Sequence, residues 1–439
     1  MIKSKDILNV GVLGLGTVGG GVVSALQSSP ELFDSRAGKH IKVVGACVRN
    51  PKKNRSAIAM NFPITSNPLD IVEDPKIDLV LELIGGVEPA RELVLTALNN
   101  GKNVVTANKA LLALHGGEIF RMAAEKNCFV GYEAAVAGGI PIIKVIREGL
   151  VANKITKLHG IINGTCNYIL TGMEKHQSAF DDILTEAQKK GFAEEDPSFD
   201  IGGIDAAHKL TILASLLFNV PLDFNKIAVI GISDVELEDI NYAKKLGYKI
   251  KHLAVAEKSE NGVELRVGPA LVPETDMLSK VDEEMNAIRL EGNMLGTLLM
   301  SGAGAGAGPT ASSVLSDIVD SIRNSKLEWA STITNNNDNE PTSDIVVTAE
   351  QTIASAFYYR LVASNEPGML ASITNILAAN KISIEAVIQD EESKRADRVP
   401  ILIVTEKIKQ RQADATRLAI SEMPGILSPI KQFRVQKDD

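Results

Sequence analysis

A glycine-rich turn between an apolar strand and a helix constrains this chain more than any other feature of its sequence. Residues 7–13 are a short, mostly apolar run, typical of a buried parallel strand, and residues 20–29 have apolar side chains at helical spacing. In such a turn the first glycine allows a tight bend, the second lets the backbone approach a pyrophosphate, and the third lets helix and strand pack closely. The residues expected to contact the ligand are Gly14, Leu15, Gly16, Thr17, Val18 and Gly19. The pattern favours a dinucleotide-binding α/β domain; a glycine-rich turn without a ligand is the alternative on this motif alone.

The end of the next predicted strand bears on the choice of cofactor. Residues 41–48 are typical of a second buried strand, and Arg49 follows where a site specific for NAD usually has an acidic residue for the ribose 2′-hydroxyl. A guanidinium suits a 2′-phosphate, so we expect NADP to be accepted. A solvated basic loop explains Arg49 and Lys52 equally well, so NADP and NAD both remain open.

Lys109 follows another predicted strand of the same sheet. Strands are predicted over residues 78–84 and 102–106, with a helix over 89–99 between them. Ligands of open α/β sheets lie beyond the carboxyl ends of the strands, so Lys109 could reach a nicotinamide or a substrate. Taken alone, a lysine after a strand is more often a surface charge.

An acidic loop that runs into a helix carries the chemistry of a second predicted domain. Glu194 and Asp200 lie in the loop, and Asp205 and Lys209, four residues apart, share one face of a predicted helix over 204–218. Carboxylates can hold an ammonium group, and a lysine can donate a proton to the negative charge that develops on an aldehyde oxygen during reduction. The pattern indicates a site for a zwitterionic substrate; an ordinary surface ion pair is the alternative.

Composition argues against several other classes of protein. A net charge of −9 disfavours nucleic-acid binding, which needs a basic face. No apolar run of about 18 residues is present, so no membrane span is expected. The three cysteines have no CxxC spacing, and glycines interrupt any apolar leader after Lys5, so we expect a cytoplasmic protein in a reducing compartment.

Seven motifs in order resemble those of the homoserine dehydrogenase family. They are GLGTVGGGV, ELIGG, VVTANKALLA, YEAAVAGGIPII, INGTCNYIL, AEEDPSFDIGGIDAAHKL and GAGAGPTASSV, and the resemblance extends from residue 7 to about residue 325. It implies an α/β fold with a Rossmann-type parallel sheet in residues 1–140 and 303–330, and an α+β substrate and dimerisation domain in residues 141–302. The stretch 302–309 would then be a flexible return to the cofactor domain rather than an inert linker.

The resemblance also implies a reaction and the residues that perform it. Hydride passes between the nicotinamide and the aldehyde carbon of aspartate 4-semialdehyde, giving homoserine. Lys209 would donate the proton, and Lys109 would lie beside cofactor and substrate. The substrate would be bound by Glu194 and Asp205 at its amino group, with Asp200 and the backbone of Gly164 and Thr165 nearby, and Gly191 and Gly302 would approach the cofactor. The adjacent Glu195 departs from the family pattern, so the choice between Glu194 and Glu195 is open.

A cation site and an assembly follow from the same resemblance. Glu133, with the backbone carbonyls of Val136, Gly138 and Ile140, resembles the family's site for a monovalent cation such as Na⁺. Oxygen-only ligation suits a hard cation. The chain is expected to form a homodimer or a homotetramer.

The C-terminal part of the chain has a regular series of predicted elements after a polar linker over residues 331–351. Strands are predicted at residues 357–364, 382–390, 399–405 and 430–435, and helices at 369–379 and 411–423. This is the β-α-β-β-α-β order of a ferredoxin-like unit. NEPGML resembles the first turn of an ACT domain, an amino-acid-sensing module, over residues 352–439. Threonine is the effector that this resemblance implies; a dimerisation module that binds no ligand is the equal alternative.

Two other functions compete with this interpretation. An aspartate-semialdehyde dehydrogenase makes the same aldehyde with a thiolate nucleophile; Cys166 is the cysteine near the proposed site, but His159 and His176 lie far from it in sequence. A non-catalytic sensor could bind a nucleotide and an amino acid without turnover. The coincidence of Lys109, Lys209 and the acidic residues argues against a sensor, which would not require them.

Overall fold

Two sheets and the helices packed on them make up the described part of the chain. The computed structural model describes residues 6–52, 61–323, 346–389, 395 and 397–437. The strands are β1 (Ile7–Leu13), β2 (His40–Cys47), β3 (Ile64–Thr65), β4 (Leu79–Glu82), β5 (Asn103–Thr106), β6 (Val130–Gly131), β7 (Ile155–Ile161), β8 (Ala228–Val229), β9 (Tyr248–Ser259), β10 (Gly262–Pro273), β11 (Met285–Gly292), β12 (Gly296–Ala303), β13 (Ala354–Ser364), β14 (Ile384–Gln389), β15 (Arg398–Thr405), β16 (Ile408–Lys409) and β17 (Lys431–Val435).

The helices fall between these strands and on both sides of the first sheet. They are α1 (Thr17–Ser28), α2 (Pro30–Ala37), α3 (Leu69–Val72), α4 (Ala90–Asn99), α5 (Lys109–Lys126), α6 (Ile142–Lys144), α7 (Gly164–His176), α8 (Phe180–Lys190), α9 (Ser198–Ile201), α10 (Ile204–Phe218), α11 (Leu237–Lys245), α12 (Ala307–Arg323), α13 (Met369–Ala379) and α14 (Gln410–Ser421). A π-helical turn, Val145–Gly149, follows α6.

The first sheet is parallel throughout its described strands, with the order β3-β2-β1-β4-β5-β6. Val10 and Val12 of β1 and Leu79 and Leu81 of β4 have no exposed surface, as expected for a parallel sheet covered on both faces. This sheet, with α1 to α5 and α12, is the first unit. Its strand over 79–82 is shorter than the predicted 78–84.

The glycine-rich stretch expected to be a flexible return is mostly regular structure. Gly302 lies in β12, and α12 begins at Ala307, before the end of the stretch that was expected to be flexible. Pro309 falls in the first turn of α12, where backbone N–H groups have no partner within the helix and proline is tolerated. The helix packs against α1 at Gly21, where a Cβ atom would lie 2.8 Å from the carbonyl oxygen of Ala307. The chain therefore returns to the first unit through a close helix contact.

The second sheet has the order β12-β11-β7-β9-β10-β17-β13-β15-β14, with β8 paired to β10 and β16 paired to β13. Strands β7 to β12, with α6 to α11, form the second unit. The bridge between Val263 of β10 and Val347 shows that the last residues of the predicted linker pair with this sheet. Residues 324–345, which include most of that linker, lie outside the described residues.

Helix α10 is buried on nearly all of its surface. Its apolar spacing predicts one buried face, but α10 packs against α5 of the first unit and against β9 and β10 of the second. Its polar residues Asp205, His208 and Lys209 are therefore inside the protein. None of the helices in the described ranges is both long and apolar enough to cross a membrane.

The C-terminal module consists of β13 to β17 with α13 and α14. Apart from the two-residue strand β16, its elements have the predicted β-α-β-β-α-β order, and its first strand starts three residues before the predicted one. Its four main strands pair antiparallel in the order β17-β13-β15-β14. Phe357 and Tyr359 pack under the module's helices, whereas Ala356 and Tyr358 on the opposite face pack against the second unit. The module therefore shares a hydrophobic core with its neighbour.

Candidate active site

A buried hydrogen-bond framework positions Lys109 at the carboxyl edge of the first sheet. Glu82, fully buried at the end of β4, accepts a hydrogen bond from Thr106 Oγ1 at 2.5 Å, and Thr106 Oγ1 accepts the backbone N–H of Asn108. The Asn108 side chain caps α5 by accepting the backbone N–H of Leu111. The side chain of Lys109, the first residue of α5, therefore extends from a rigid strand-to-helix turn.

Asp205 joins the two lysines that the sequence singles out. Its Oδ1 lies 2.6 Å from Lys109 Nζ and its Oδ2 lies 2.8 Å from Lys209 Nζ. Lys109 comes from the first unit and Lys209 from the second, so a single buried carboxylate bridges the two units. Lys209 Nζ also donates to the carbonyl oxygen of Ile162 at 2.7 Å. With Asp205 and Ile162 as its acceptors among the described residues, Lys209 has one of its three N–H groups left for a substrate oxygen.

Burial and charge set the protonation of this triad. Burial raises the pKa of Asp205, but the ammonium groups of Lys209 and Lys109 outweigh that effect and hold the pKa well below its usual range. Burial lowers the pKa of Lys209; Asp205 opposes this shift and Lys109 adds to it. Burial also acts against the charged form of Lys109, but the carboxylates of Asp205, Asp200 and Glu194 raise its pKa overall. Lys209 is therefore the lysine from which a proton is more easily removed.

Asp200 lies beside the triad and is held by the start of α7. Its Oδ1 accepts the side-chain amide of Asn163 at 2.8 Å, and its Oδ2 accepts Thr165 Oγ1 at 3.2 Å. Gly164, between these two residues, is packed so closely that a Cβ atom would lie 2.7 Å from the carbonyl oxygen of Glu284. The contacts bring Asp200 and Thr165 into the same cluster as the two lysines.

Glu194 is the exposed carboxylate of the cluster. No side chain of the described residues pairs with it, and its charge is among those that raise the pKa of Lys109. Glu195 is exposed as well. The side-chain amide of Gln188 donates to both of their carbonyl oxygens and fixes the backbone there.

The glycine turn fits a dinucleotide. Gly14 has a φ of +98°, and a Cβ atom there would lie 2.6 Å from the carbonyl oxygen of Leu83. A Cβ atom on Gly19 would lie 2.0 Å from the carbonyl oxygen of Gly14, whereas Gly16 has no atom within 4 Å of its Cβ position. The first and third glycines are thus required by packing, and the second leaves open space for a pyrophosphate at the N-terminus of α1.

Three predicted cofactor contacts lie on other elements. Arg49 is exposed two residues beyond β2. Gly191 ends α8 with a left-handed φ of +79°. Gly302 lies in β12 against Ile140, and its Cβ position is 3.2 Å from Ile140 Cγ1. None of the hydrogen bonds or ion pairs described above joins these three residues to the lysine cluster.

The predicted cation ligands form a separate buried group. Glu133 accepts the backbone N–H groups of Ile143 and Lys144 at 2.9 and 2.8 Å, and its own N–H donates to Asp317. Burial raises the pKa of Glu133 to about 7. Within the described residues no three His, Cys, Asp or Glu side chains are arranged to hold a metal ion, so a cation here would depend on backbone carbonyls.

Cys166 does not have the character of a nucleophile. It is fully buried in α7, and burial raises the pKa of its thiol well above the ordinary value, with Asp200 and Asp205 adding to the shift. Its Sγ donates to the carbonyl oxygen of Asp200 at 3.2 Å. A thiolate is the form that attacks an acyl carbon, so this environment disfavours the aspartate-semialdehyde dehydrogenase alternative.

Sequence reasoning missed Asn163, Phe199 and Glu82. Asn163 caps α7 by accepting the backbone N–H of Cys166, and an asparagine just before a helix was a signal that could have found it. The ring of Phe199 lies 5.7 Å from Lys109 Nζ, within the range of a cation–π interaction. Glu82 gave no signal, because a lone acidic residue at a strand end is uninformative without its partners.

Comparison with known families matches two parts of the chain. A family model described as homoserine dehydrogenase, NAD binding domain, matches residues 14–133, and one described as homoserine dehydrogenase matches residues 141–319. The homoserine dehydrogenase of Pseudomonas aeruginosa is 45% identical over 98% of this chain and 99% of its own length. That of Bacillus subtilis is 38% identical over 98% of each chain.

Solved structures agree with these relatives. A homoserine dehydrogenase from Thiobacillus denitrificans superposes with a TM-score of 0.90 at 47% identity and covers 98% of both chains. A hyperthermophilic archaeal homoserine dehydrogenase in complex with NADPH has a TM-score of 0.62 at 27% identity, over 72% of this chain and 97% of that one. The chain therefore belongs to the homoserine dehydrogenase family of NAD(P)-dependent oxidoreductases.

Proposed function

We propose that the Lys109–Asp205–Lys209 triad is the catalytic centre at which this chain interconverts L-homoserine and L-aspartate 4-semialdehyde. The observation that carries this proposal is the position of Asp205, in contact with one lysine from each unit. Lys109 stands at the carboxyl edge of the nucleotide-binding sheet, where ligands of such sheets lie. Lys209 has an N–H group left for a substrate oxygen.

The chain's own residues provide a place for the cofactor. The backbone of residues 14–19 and the N-terminus of α1 would hold the pyrophosphate, with Lys109, Gly191 and Gly302 around the other end. When bound, a nicotinamide supplies the hydride for reduction of the aldehyde or accepts it from the alcohol. Arg49, in the position that reads the ribose, favours NADP over NAD in this proposal.

Proton transfer at the substrate oxygen is assigned to Lys209. During reduction the oxygen gains negative charge, and the Lys209 ammonium donates its free N–H to it. In the reverse direction neutral Lys209 accepts the hydroxyl proton of homoserine. Asp205 stabilises the charged form of Lys209 and fixes its direction. Lys109, with its raised pKa, stays positively charged and adds to the field that stabilises the oxyanion.

Glu194 and Asp200 are assigned to the substrate ammonium group. Asp205 is already in contact with Lys109, Lys209 and Asn163, whereas Glu194 has no partner among the described side chains and Asp200 has only neutral donors. We therefore assign Asp205 chiefly to the lysines rather than to the ammonium group. An exposed and a half-buried carboxylate then select a cationic amino group at the mouth of the site.

The test is turnover of the purified protein with homoserine and NADP. Growth of the reduced-nicotinamide absorbance, dependent on homoserine, is expected. Bound NADP without turnover would instead indicate the non-catalytic sensor. The same assay with NAD, and with Arg49→Asp, measures the cofactor preference.

A monovalent cation at Glu133 is a further part of the proposal. The carbonyl of Gly138 already accepts Ser313 Oγ at 2.5 Å, and that of Ile140 accepts the N–H of Ile142 at 2.8 Å, but each carbonyl oxygen retains a second lone pair. A cation bound to these carbonyls, that of Val136 and the Glu133 carboxylate would offset the burial of that charge. A rise in melting temperature with NaCl but not with choline chloride, lost in Glu133→Gln, is the expected result.

The C-terminal module is proposed to bind an amino-acid effector, threonine. The turn after β13 brings the Asn365 backbone N–H to the carbonyl oxygen of Asp397, and Gly368 starts α13 with a left-handed φ of +94°. Inhibition requires that threonine bind one conformational state better than another. Activity measured against threonine concentration tests this proposal.

A homodimer or a homotetramer is proposed for the assembled protein. Light scattering of the purified protein distinguishes the two.

A further inference from the structure

Asn163 bridges two carboxylates of the site with one neutral amide group. The two hydrogens of its Nδ2 are donated to Asp200 Oδ1 and to Asp205 Oδ2, each at 2.8 Å. Asp200 lies on α9 and Asp205 on α10, so the amide joins two elements. Asn163 itself precedes α7 and is buried, with 3% of its surface exposed. Nothing in the proposed reaction assigns it a role.

The orientation of this amide is fixed by its other end. The Asn163 Oδ1 accepts the backbone N–H of Cys166 at 2.8 Å, which caps α7. An amide oxygen that accepts this N–H leaves the NH₂ group facing the two carboxylates. Both hydrogens and the oxygen are therefore used, and a flipped amide would point an oxygen at two anions.

A neutral donor at this point preserves the charge balance of the site. The charged groups that face Asn163, or that contact the carboxylates it binds, are Asp200, Asp205, Lys209 and Lys109, with the neutral thiol of Cys166 beside them. The imidazoles of His208 and His252 also feel the charge of Asp205, but burial lowers the pKa of both and favours their neutral forms. Glu194 adds a negative charge to this set, which then has one more carboxylate than ammonium group. That excess attracts the substrate's ammonium group, and a cationic donor in place of Asn163 would remove it.

We infer that Asn163 is a positioning residue for substrate recognition: it holds Asp200 toward the substrate ammonium and keeps Asp205 turned toward Lys209. This inference rests on the proposed roles of Asp200 and Lys209. Loss of the Asn163 amide should therefore weaken homoserine binding and disturb proton transfer, while the glycine turn and NADP binding remain unchanged.

The diagnostic variant is Asn163→Asp. An aspartate keeps the size of the side chain and its ability to cap α7, but it replaces a double donor by a carboxylate, the fourth of the cluster after Asp200, Asp205 and Glu194. The cluster then regains a donor only when one of its carboxylates is protonated. At about pH 8 the new carboxylate repels Asp200 and Asp205 and moves them out of position, and we expect this displacement to outweigh its added attraction for the ammonium group, so that the KM for homoserine rises about tenfold or more. At about pH 6 the rise should be much smaller, because neighbouring carboxylates raise one another's pKa and one of them then carries a proton. The KM for NADP should stay within about twofold.

A second variant separates the cap from the carboxylate contacts. Asn163→Ser can still cap the helix, but its hydroxyl is too short to reach both carboxylates. Its KM for homoserine should rise about threefold or more, and the ratio to the wild-type value should not change with pH. Asn103→Asp is the matched control. The side-chain oxygen of Asn103 also accepts a backbone N–H, that of Phe129, but Asn103 lies on β5 and its oxygen points toward the neighbouring strand β6. It should behave as wild type.

Wild-type turnover in the same assay shows first that the proposed function holds. Wild-type KM values for homoserine in both Asn163 variants, with NADP binding intact, would overturn the inference. A rise in the KM for NADP as large as the rise in the KM for homoserine would also overturn it, since Asn163 would then support the whole site rather than recognition of the substrate. If Asn163→Asp does not fold, Asn163→Ser decides the matter: a raised KM for homoserine with unchanged NADP affinity supports the inference, and unchanged values for both refute it.

Discussion

Replacing Asp205 by asparagine should move the pH dependence of catalysis in a direction fixed by the structure. Asp205 lies 2.8 Å from Lys209 Nζ, and it is the main group that opposes the lowering of the Lys209 pKa by burial, with a smaller contribution from Asp200. Two unit charges about 4 Å apart near a protein surface interact by about 4 kcal/mol, and one pKa unit corresponds to about 1.4 kcal/mol. Removing the carboxylate removes this interaction and should therefore lower the pKa of Lys209 strongly.

The consequence appears in the reduction of aspartate 4-semialdehyde. Lys209 must carry its proton in order to donate it, so kcat falls as pH rises through the pKa of Lys209. In Asp205→Asn this alkaline limb should move strongly to lower pH, and kcat at neutral pH should fall accordingly. The assay is the loss of reduced-nicotinamide absorbance over a pH series with saturating semialdehyde and NADPH.

Asp282→Asn is the matched control for this experiment. Asp282 pairs at 3.2 Å with Lys251, another lysine whose pKa is lowered by burial, but the pair lies outside the site. Its variant should keep the wild-type pH profile. An unmoved alkaline limb in Asp205→Asn, with the control also normal, would refute the assignment of Lys209 as the titrating acid.

Three further predictions concern single residues. Lys209→Ala should lower kcat for homoserine oxidation about a hundredfold or more with little change in NADP affinity; near-normal turnover would remove Lys209 from proton transfer. Arg49→Asp should raise the KM for NADP about tenfold and leave that for NAD nearly unchanged, whereas equal effects on both would mean that Arg49 does not contact the 2′-phosphate. Burial lowers the pKa of His252 from 6.5 to about 4, so the unfolded chain binds a proton that the folded protein excludes, and stability should fall by up to about 3 kcal/mol as pH drops through that window. Thermal melts should show a smaller loss in His252→Gln, and an identical pH dependence in both proteins would contradict the assignment.

The elements of this fold were predictable where their signals are local. The strand, glycine turn and helix over residues 7–28 and the β-α-β-β-α-β series of the C-terminal module depend on short-range periodicity and turn residues. The start of α7 does not follow from apolar spacing, because its N-terminus is fixed by the Asn163 cap. Apolar spacing also does not show where α12 begins, because Pro309, which would break a helix interior, is tolerated in the first turn.

The arrangement of the site was less accessible, because it is made by contacts between units. The four-residue spacing predicts that Asp205 and Lys209 meet, but nothing local indicates that Lys109 meets Asp205 from another domain. Likewise, helical spacing does not reveal that α10 is enclosed by α5 on one side and by β9 and β10 on another. That enclosure is what places charged residues in a low-dielectric surrounding and shifts their pKa values.

The position of β17 has a consequence for how the protein is made. This strand, the last of the described strands in sequence, lies between β10 and β13 and pairs with both, through Ala270–Leu271 on one side and residues 356–360 on the other. During synthesis β10 and β13 leave the ribosome before β17, and the edges that will pair with β17 remain unpaired until it emerges. Such edges are templates for association with other chains. Nascent chains stalled before residue 431 should therefore depend on chaperones more than the finished protein does, and small deletions across β17 should cause aggregation rather than a mild loss of activity.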